Sequence, residues 1–168
     1  MRAKIIVGLG VGAYALVVLA AVYAFVFLKP AAVDEVRLSS LSGQTFSTSE
    51  LRGKVVVVNF WATYCGSCIA EMPKFIATHQ KFAARGYETI AVAVRQDKRE
   101  RVAEFVASRA LPFRIALDSS GDAARQFGNV RLTPTTFIID RQGRVLRRYI
   151  GEPNWPEFHE LVEKALAS

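Results

Sequence analysis

Cys65 and Cys68 are the only cysteines in the 168-residue chain, two residues apart in the segment NFWATYCGSCIAEMP (residues 59–73). Thiols at that spacing can ligate a metal, close a disulfide staple or exchange electrons. A structural zinc ion needs two further ligands at workable spacing. The only histidines are His79 and His159, and there is no second cysteine pair, so no metal ligands are assigned. A bridge across two intervening residues closes too small a loop to stabilise much, which disfavours a permanent staple. Position favours the redox reading, because the pair follows a buried-strand pattern and opens a helical one. Cys65 is expected at or near a helix N-terminus, where unpaired N–H groups and the positive end of the macrodipole stabilise a thiolate. Cys68, one turn deeper, is expected to be the shielded partner that resolves a mixed disulfide. Glu71 stands three residues further on, on the same helix face as Cys68.

The elements that must hold these residues are legible on either side. Lys54–Phe60 (KVVVVNF) is a continuous β-branched run, the mark of a strand covered on both faces. Ile69–Arg85 reads as a helix stopped by Gly86, with Met72, Phe75 and Phe82 at core spacing and His79 on the surface. Tyr87–Val94 reads as a second buried strand, and Lys98–Ala110 as an amphipathic helix facing inward through Val102, Phe105 and Val106. Before them, residues 36–38 and 44–46 form a short hairpin pattern and Ser47–Leu51 a capped helical turn. After them come a strand at Phe113–Leu117 and a short helix capped by Ser119 and ending near Gly128. A hairpin of Thr135–Asp140 with Arg144–Ile150 follows. The last helix, Trp155–Leu166, turns Phe158, Leu161, Val162 and Leu166 inward. Alternating strands and helices with a closing hairpin predict one α/β domain, a central mixed sheet flanked by helices.

Ahead of this domain, Ile5 to Leu28 form 24 consecutive positions without a charge. As a helix rising 1.5 Å per residue this run covers about 36 Å, enough for a bilayer core of roughly 30 Å. It exceeds the apolar region of a cleaved signal peptide, about 7–15 residues. Arg2 and Lys4 precede it, which places the N-terminus in the cytoplasm and the rest outside. The expected organisation is an anchor over residues 1–29, a tether over 30–35 and an extracytoplasmic domain over 36–168. The formal charge of +7 overstates the domain: without Arg2, Lys4 and Lys29, 19 basic residues face 15 acidic ones. These are spread along the sequence with no basic stripe or interleaved aromatics, so nucleic acid is not an expected partner.

NFWATYCGSC, with Pro73 five residues after Cys68, resembles the active-site segment of thioredoxin-fold proteins. More narrowly the chain resembles the bacterial membrane-anchored thiol–disulfide oxidoreductases of the TlpA/ResA type over about residues 34–168. LTPTTFIIDRQGRV matches that family's later loop, and the strand-helix addition after Tyr87–Val94 matches its βα insertion. The resemblance implies a thioredoxin-like fold and a redox-active Cys65–Cys68 disulfide with no other cofactor. It implies a cis bond at Thr133-Pro134 facing that disulfide, where Thr133 can pair with an incoming extended chain. Thioredoxin has a buried aspartate where this chain has Asn59, and TlpA/ResA-like proteins carry a glutamate at Glu71. Glu71 is therefore expected to be partly buried and to act as general base for Cys68, with Trp61 supporting the cysteines and touching partners. Tyr64 and the Gly66-Ser67 dipeptide depart from the family's commonest residues. The implied activity is reduction of disulfides in target proteins in the periplasm or its equivalent, with electrons from a membrane thiol reductase. Apocytochrome c and copper-site proteins are the implied targets. The alternatives are a disulfide-forming oxidant and a Cu(I) carrier using the two thiolates.

Overall fold

In the computed structural model, the described residues are 14, 16–20, 22–23 and 35–168. The chain divides into two units, Met1–Ala31 and Ala32–Ser168. In the first, the described residues are helical and exposed. Among the described residues no helix is long and apolar enough to cross a membrane. The expected anchor over 1–29 and tether over 30–35 fall largely outside them.

The second unit is built on β3 (Val55–Trp61), whose seven residues are all buried. Such a strand needs cover on both faces, and its neighbours supply it. Numbered along the chain, the strands are β1 (Arg37–Ser40), β2 (Thr45–Ser47), β3, β4 (Tyr87–Ala93), β5 (Arg114–Leu117), β6 (Thr135–Ile139) and β7 (Val145–Ile150). They form one mixed sheet in the order β2-β1-β5-β4-β3-β6-β7. β3, β4 and β5 run parallel, while β6 lies antiparallel to β3 and β1 antiparallel to β5. The helices are α1 (Gly66–Phe82), α2 (Arg99–Arg109), α3 (Asp122–Gln126) and α4 (Trp155–Ala167).

Strand alternation splits the core into two layers. Val55, Val57 and Trp61 of β3 pack with Cys68, Met72, Phe75 and Phe82 of α1, Val102 of α2 and Phe158 and Val162 of α4. Val56, Val58 and Phe60 pack on the opposite face with Leu38, Leu51, Ala123 and Phe127. A mixed sheet with helices on both faces is the expected architecture.

Some boundaries and positions differ from expectation. α1 starts three residues early, at Gly66 rather than Ile69, because Cys65 itself caps it. The short helix has Gly121 rather than Ser119 as its N-cap, and the Asp118 carboxylate accepts the N–H groups of Ala123 and Ala124 in its first turn, each at 3.0 Å. His79 is half-buried rather than on the surface, its ring edge-on to Tyr87 and Phe113.

Candidate active site

Cys65 lies at the junction of β3 and α1 and takes extended backbone angles, φ −92° and ψ 103°, as the N-cap of α1. Its sulfur is bonded to that of Cys68, 2.09 Å away. The Cys68 backbone N–H points at Cys65 Sγ at 3.2 Å, and the Ser67 hydroxyl lies 3.5 Å from the same atom. A disulfide sulfur has no proton, so the hydroxyl is the donor. On reduction both donors are placed to stabilise a thiolate at Cys65, together with the helix dipole. Cys65 is half-buried and Cys68 is fully buried. The pair is therefore asymmetric: one sulfur faces an incoming group and the other is shielded.

One turn beyond Cys68, Glu71 is 0% exposed. Asn59 on β3 donates one amide hydrogen to Glu71 Oε1 at 2.9 Å and the other to Thr136 Oγ1 on β6 at 3.0 Å. Residues 59 and 136 are directly opposed in the β3–β6 register. Glu71 Oε2 and Asn59 Oδ1 have no hydrogen-bond partner among the described residues. A carboxylate held out of water by one neutral donor is poorly compensated, so its charge is disfavoured. Burial pushes the Glu71 carboxyl up to about 7; the Asn59 hydrogen bond pulls the other way, while the charges of Glu152 and Lys74 oppose each other. Glu71 thus exchanges a proton near neutrality and shares a buried helix face with Cys68.

Two short segments bracket the cysteines. Before them, the Asp97 carboxylate accepts the Thr63 backbone N–H at 2.5 Å and the Thr63 hydroxyl at 2.7 Å, fixing the turn that leads into Cys65. The Thr133–Pro134 bond on the approach to β6 is cis. Trp61 requires a correction. It is completely buried, its ring tilted against Phe105 in the core cluster that holds Cys68, so it has no surface for a partner. In the Trp61–Cys65 segment the exposed aromatic is Tyr64, at 57%.

Sequence reasoning placed Glu71 beside the cysteines but missed its contact with Asn59, although strand parity carried the signal: residue 59 shares the face of 55, 57 and 61. Thr136 then follows from the register. The Asp97–Thr63 clamp had no local signal, being a contact across 34 positions. Among the described residues no group of three or more His, Cys, Asp or Glu is placed to hold a metal ion.

The sequence profile of the Redoxin family matches residues 29–165. The thiol–disulfide oxidoreductase ResA of Bacillus thuringiensis is 32% identical over 127 residues, covering 76% of this chain and 72% of the relative. ResA of Bacillus subtilis is 31% identical over 125 residues, covering 74% and 69% respectively. Among solved structures, a thiol:disulfide interchange protein of the thioredoxin family from Chlorobium tepidum superposes with a TM-score of 0.74 at 26% identity. That match covers 82% of this chain and 97% of the other.

Proposed function

Because the chain belongs to the Redoxin family and, within it, to the thioredoxin-like proteins of the TlpA/ResA type, we propose that its thiol–disulfide exchange serves to reduce protein disulfides outside the cytoplasm, from a membrane tether. The reduced Cys65 thiolate attacks one sulfur of a target disulfide, forming a mixed disulfide and releasing the first target thiolate. Cys68 then loses its proton to the Glu71 carboxylate and attacks Cys65 Sγ. This displaces the second target thiolate and leaves the Cys65–Cys68 bond. Two electrons pass to the target. A membrane thiol reductase returns the pair to the dithiol.

The observation that carries the reductive direction is the buried Glu71 carboxyl on the face of Cys68. A strongly oxidising pair is one whose thiolate is stabilised. A carboxylate beside the thiols opposes that stabilisation and favours the disulfide as product, which makes the dithiol a better reductant. Thioredoxin at about −270 mV and DsbA at about −120 mV mark the two regimes. Equilibration with defined thiol/disulfide buffers decides between them: a potential near the upper value overturns the reductive reading. The tether is supported by the uncharged run Ile5–Leu28, and alkaline extraction of cell membranes tests it. Apocytochrome c, whose haem-attachment thiols must be reduced, and copper-site proteins are the proposed targets. Trapping with a Cys68→Ser variant identifies them as mixed disulfides on Cys65.

A further inference from the structure

An open groove of about 540 Å³ that the exchange chemistry itself does not use reaches Tyr64, the residue before Cys65. It is lined by Tyr64, adjacent in sequence to Cys65, and by residues 129–133, which lead to Pro134. The apolar part of this surface is unusual for the domain, with Tyr64 57% and Leu132 63% exposed. The polar part is basic: Arg95, Arg125 and Arg131 line the same groove, from three separate segments of the chain.

The charges in this groove do not cancel internally. Asp118 lies at the base, buried, but both its oxygens are taken by the N–H groups of Ala123 and Ala124. Arg125 pairs with Asp122. Arg95 and Arg131 are exposed and have no carboxylate within ion-pair distance among the described residues. The Arg95 stem and the Arg125 guanidinium both lie against Gly121 in this groove. A methyl group built on Gly121 meets Arg95 Cδ at 3.7 Å and Arg125 Nη1 at 3.6 Å. The backbone of Thr133 makes no hydrogen bond among the described residues and is free to pair with an extended segment.

A target polypeptide whose disulfide reaches Cys65 has to pass along one wall of this site. Resting on the reductase reading, we propose that the groove takes the stretch of target chain flanking its disulfide and selects stretches that carry carboxylates. An apolar side chain sits between Tyr64 and Leu132, and Asp or Glu within a few residues of the target cysteine meets Arg95 and Arg131. Exposed charge pairs are individually weak, so the preference arises from two or three acting together and is sensitive to salt.

The test uses the full chain in non-ionic detergent, reduced and freed of reductant. Single-turnover rate constants are measured with two disulfide-linked peptides that differ only in bearing Asp/Glu or Lys/Arg beside their cysteines. Bis(2-hydroxyethyl) disulfide serves as a neutral small substrate. The acidic peptide is expected to react about fivefold faster at low salt, with the difference vanishing at about 0.5 M salt. Arg95→Glu/Arg131→Glu is expected to invert the preference while the rate with the small disulfide is unchanged. Because the readout is a ratio of two peptides on one protein sample, partial loss of folding cancels; Arg131→Gln gives a milder second variant with an intermediate ratio. Equal rates for the two peptides, or a preference that survives the charge reversal, overturns the proposal. A wild-type protein inert towards the small disulfide as well as both peptides instead overturns the reductase reading on which it rests.

Discussion

Replacing Glu71 by glutamine isolates the charge that the buried site resists. A glutamate that ordinarily ionises at 4.5 and here ionises at about 7 is displaced by roughly 2.5 pH decades. At 1.36 kcal/mol per decade, the ionised folded state is destabilised by about 3 kcal/mol. The side chain is 0% exposed, so solvent does not screen this cost. The sign follows from proton binding. Below pH 4.5 both folded and unfolded chains hold the proton. Between 4.5 and 7 the unfolded chain releases it while the folded chain keeps it, so stability falls by up to about 1.36 kcal/mol per pH unit. Above 7 both have released it and the loss is complete.

In the Glu71→Gln variant the side chain still offers Asn59 an oxygen in place of Oε1, but it brings an amide –NH2 to where Oε2 has no partner. That costs about 1–3 kcal/mol, independent of pH. Absolute stability is therefore not the readout; the difference between the two proteins as a function of pH is. Burial holds the His79 and His159 pKa values down, which slopes stability the opposite way in both proteins and cancels in the subtraction. Urea unfolding of the oxidised proteins from about pH 4 to 8.5 should show the wild type losing about 3 kcal/mol relative to Glu71→Gln, with the change confined between 4.5 and 7. A flat difference would refute the buried-carboxyl argument and remove the physical ground for Glu71 as base.

The kinetic counterpart concerns the reduced protein. Glu71→Gln should lower the pKa of the Cys65 thiol, read as faster alkylation by iodoacetamide at neutral pH, while mixed disulfides resolve at least about tenfold more slowly for want of a general base. Asp97→Ala leaves the Thr63 N–H without its acceptor and should destabilise the protein by about 1–3 kcal/mol in urea unfolding. Phe75, 1% exposed and edge-on to Trp155 and Phe158, ties α1 to α4. Phe75→Ala should cost about 3–5 kcal/mol in the same assay. Glu157→Gln removes the exposed Arg147–Glu157 ion pair, which solvent and salt screen, and should leave the urea midpoint essentially where it is in the wild type.

What the sequence disclosed and what it hid divide along the range of the interactions. The KVVVVNF run, the cysteine spacing and Gly86 act locally or through simple periodicity, and β3, α1 and the place where α1 stops follow from them. Asn59 was legible in principle, since parity puts it on the α1 face, yet an amide in a valine run gives no hint that its partner is a carboxyl on the next helix. Trp61 misled because an aromatic beside a reactive cysteine suggests a contact surface, whereas the same parity that aims Asn59 inward buries Trp61 as well. Arg95, Arg125 and Arg131 look like scattered solvent charges in one dimension. Only the fold, by bringing together the β4–α2 turn, α3 and the loop before β6, sets them around a single groove. The redox pair was therefore readable from neighbours in sequence, and the arginine-lined groove only from neighbours in space. Such a division follows from the physics of the two tasks. Activating a thiol uses a helix end and residues one turn apart, all supplied by one segment. Recognising a target needs charges spread over a surface as wide as the target, which no single segment spans.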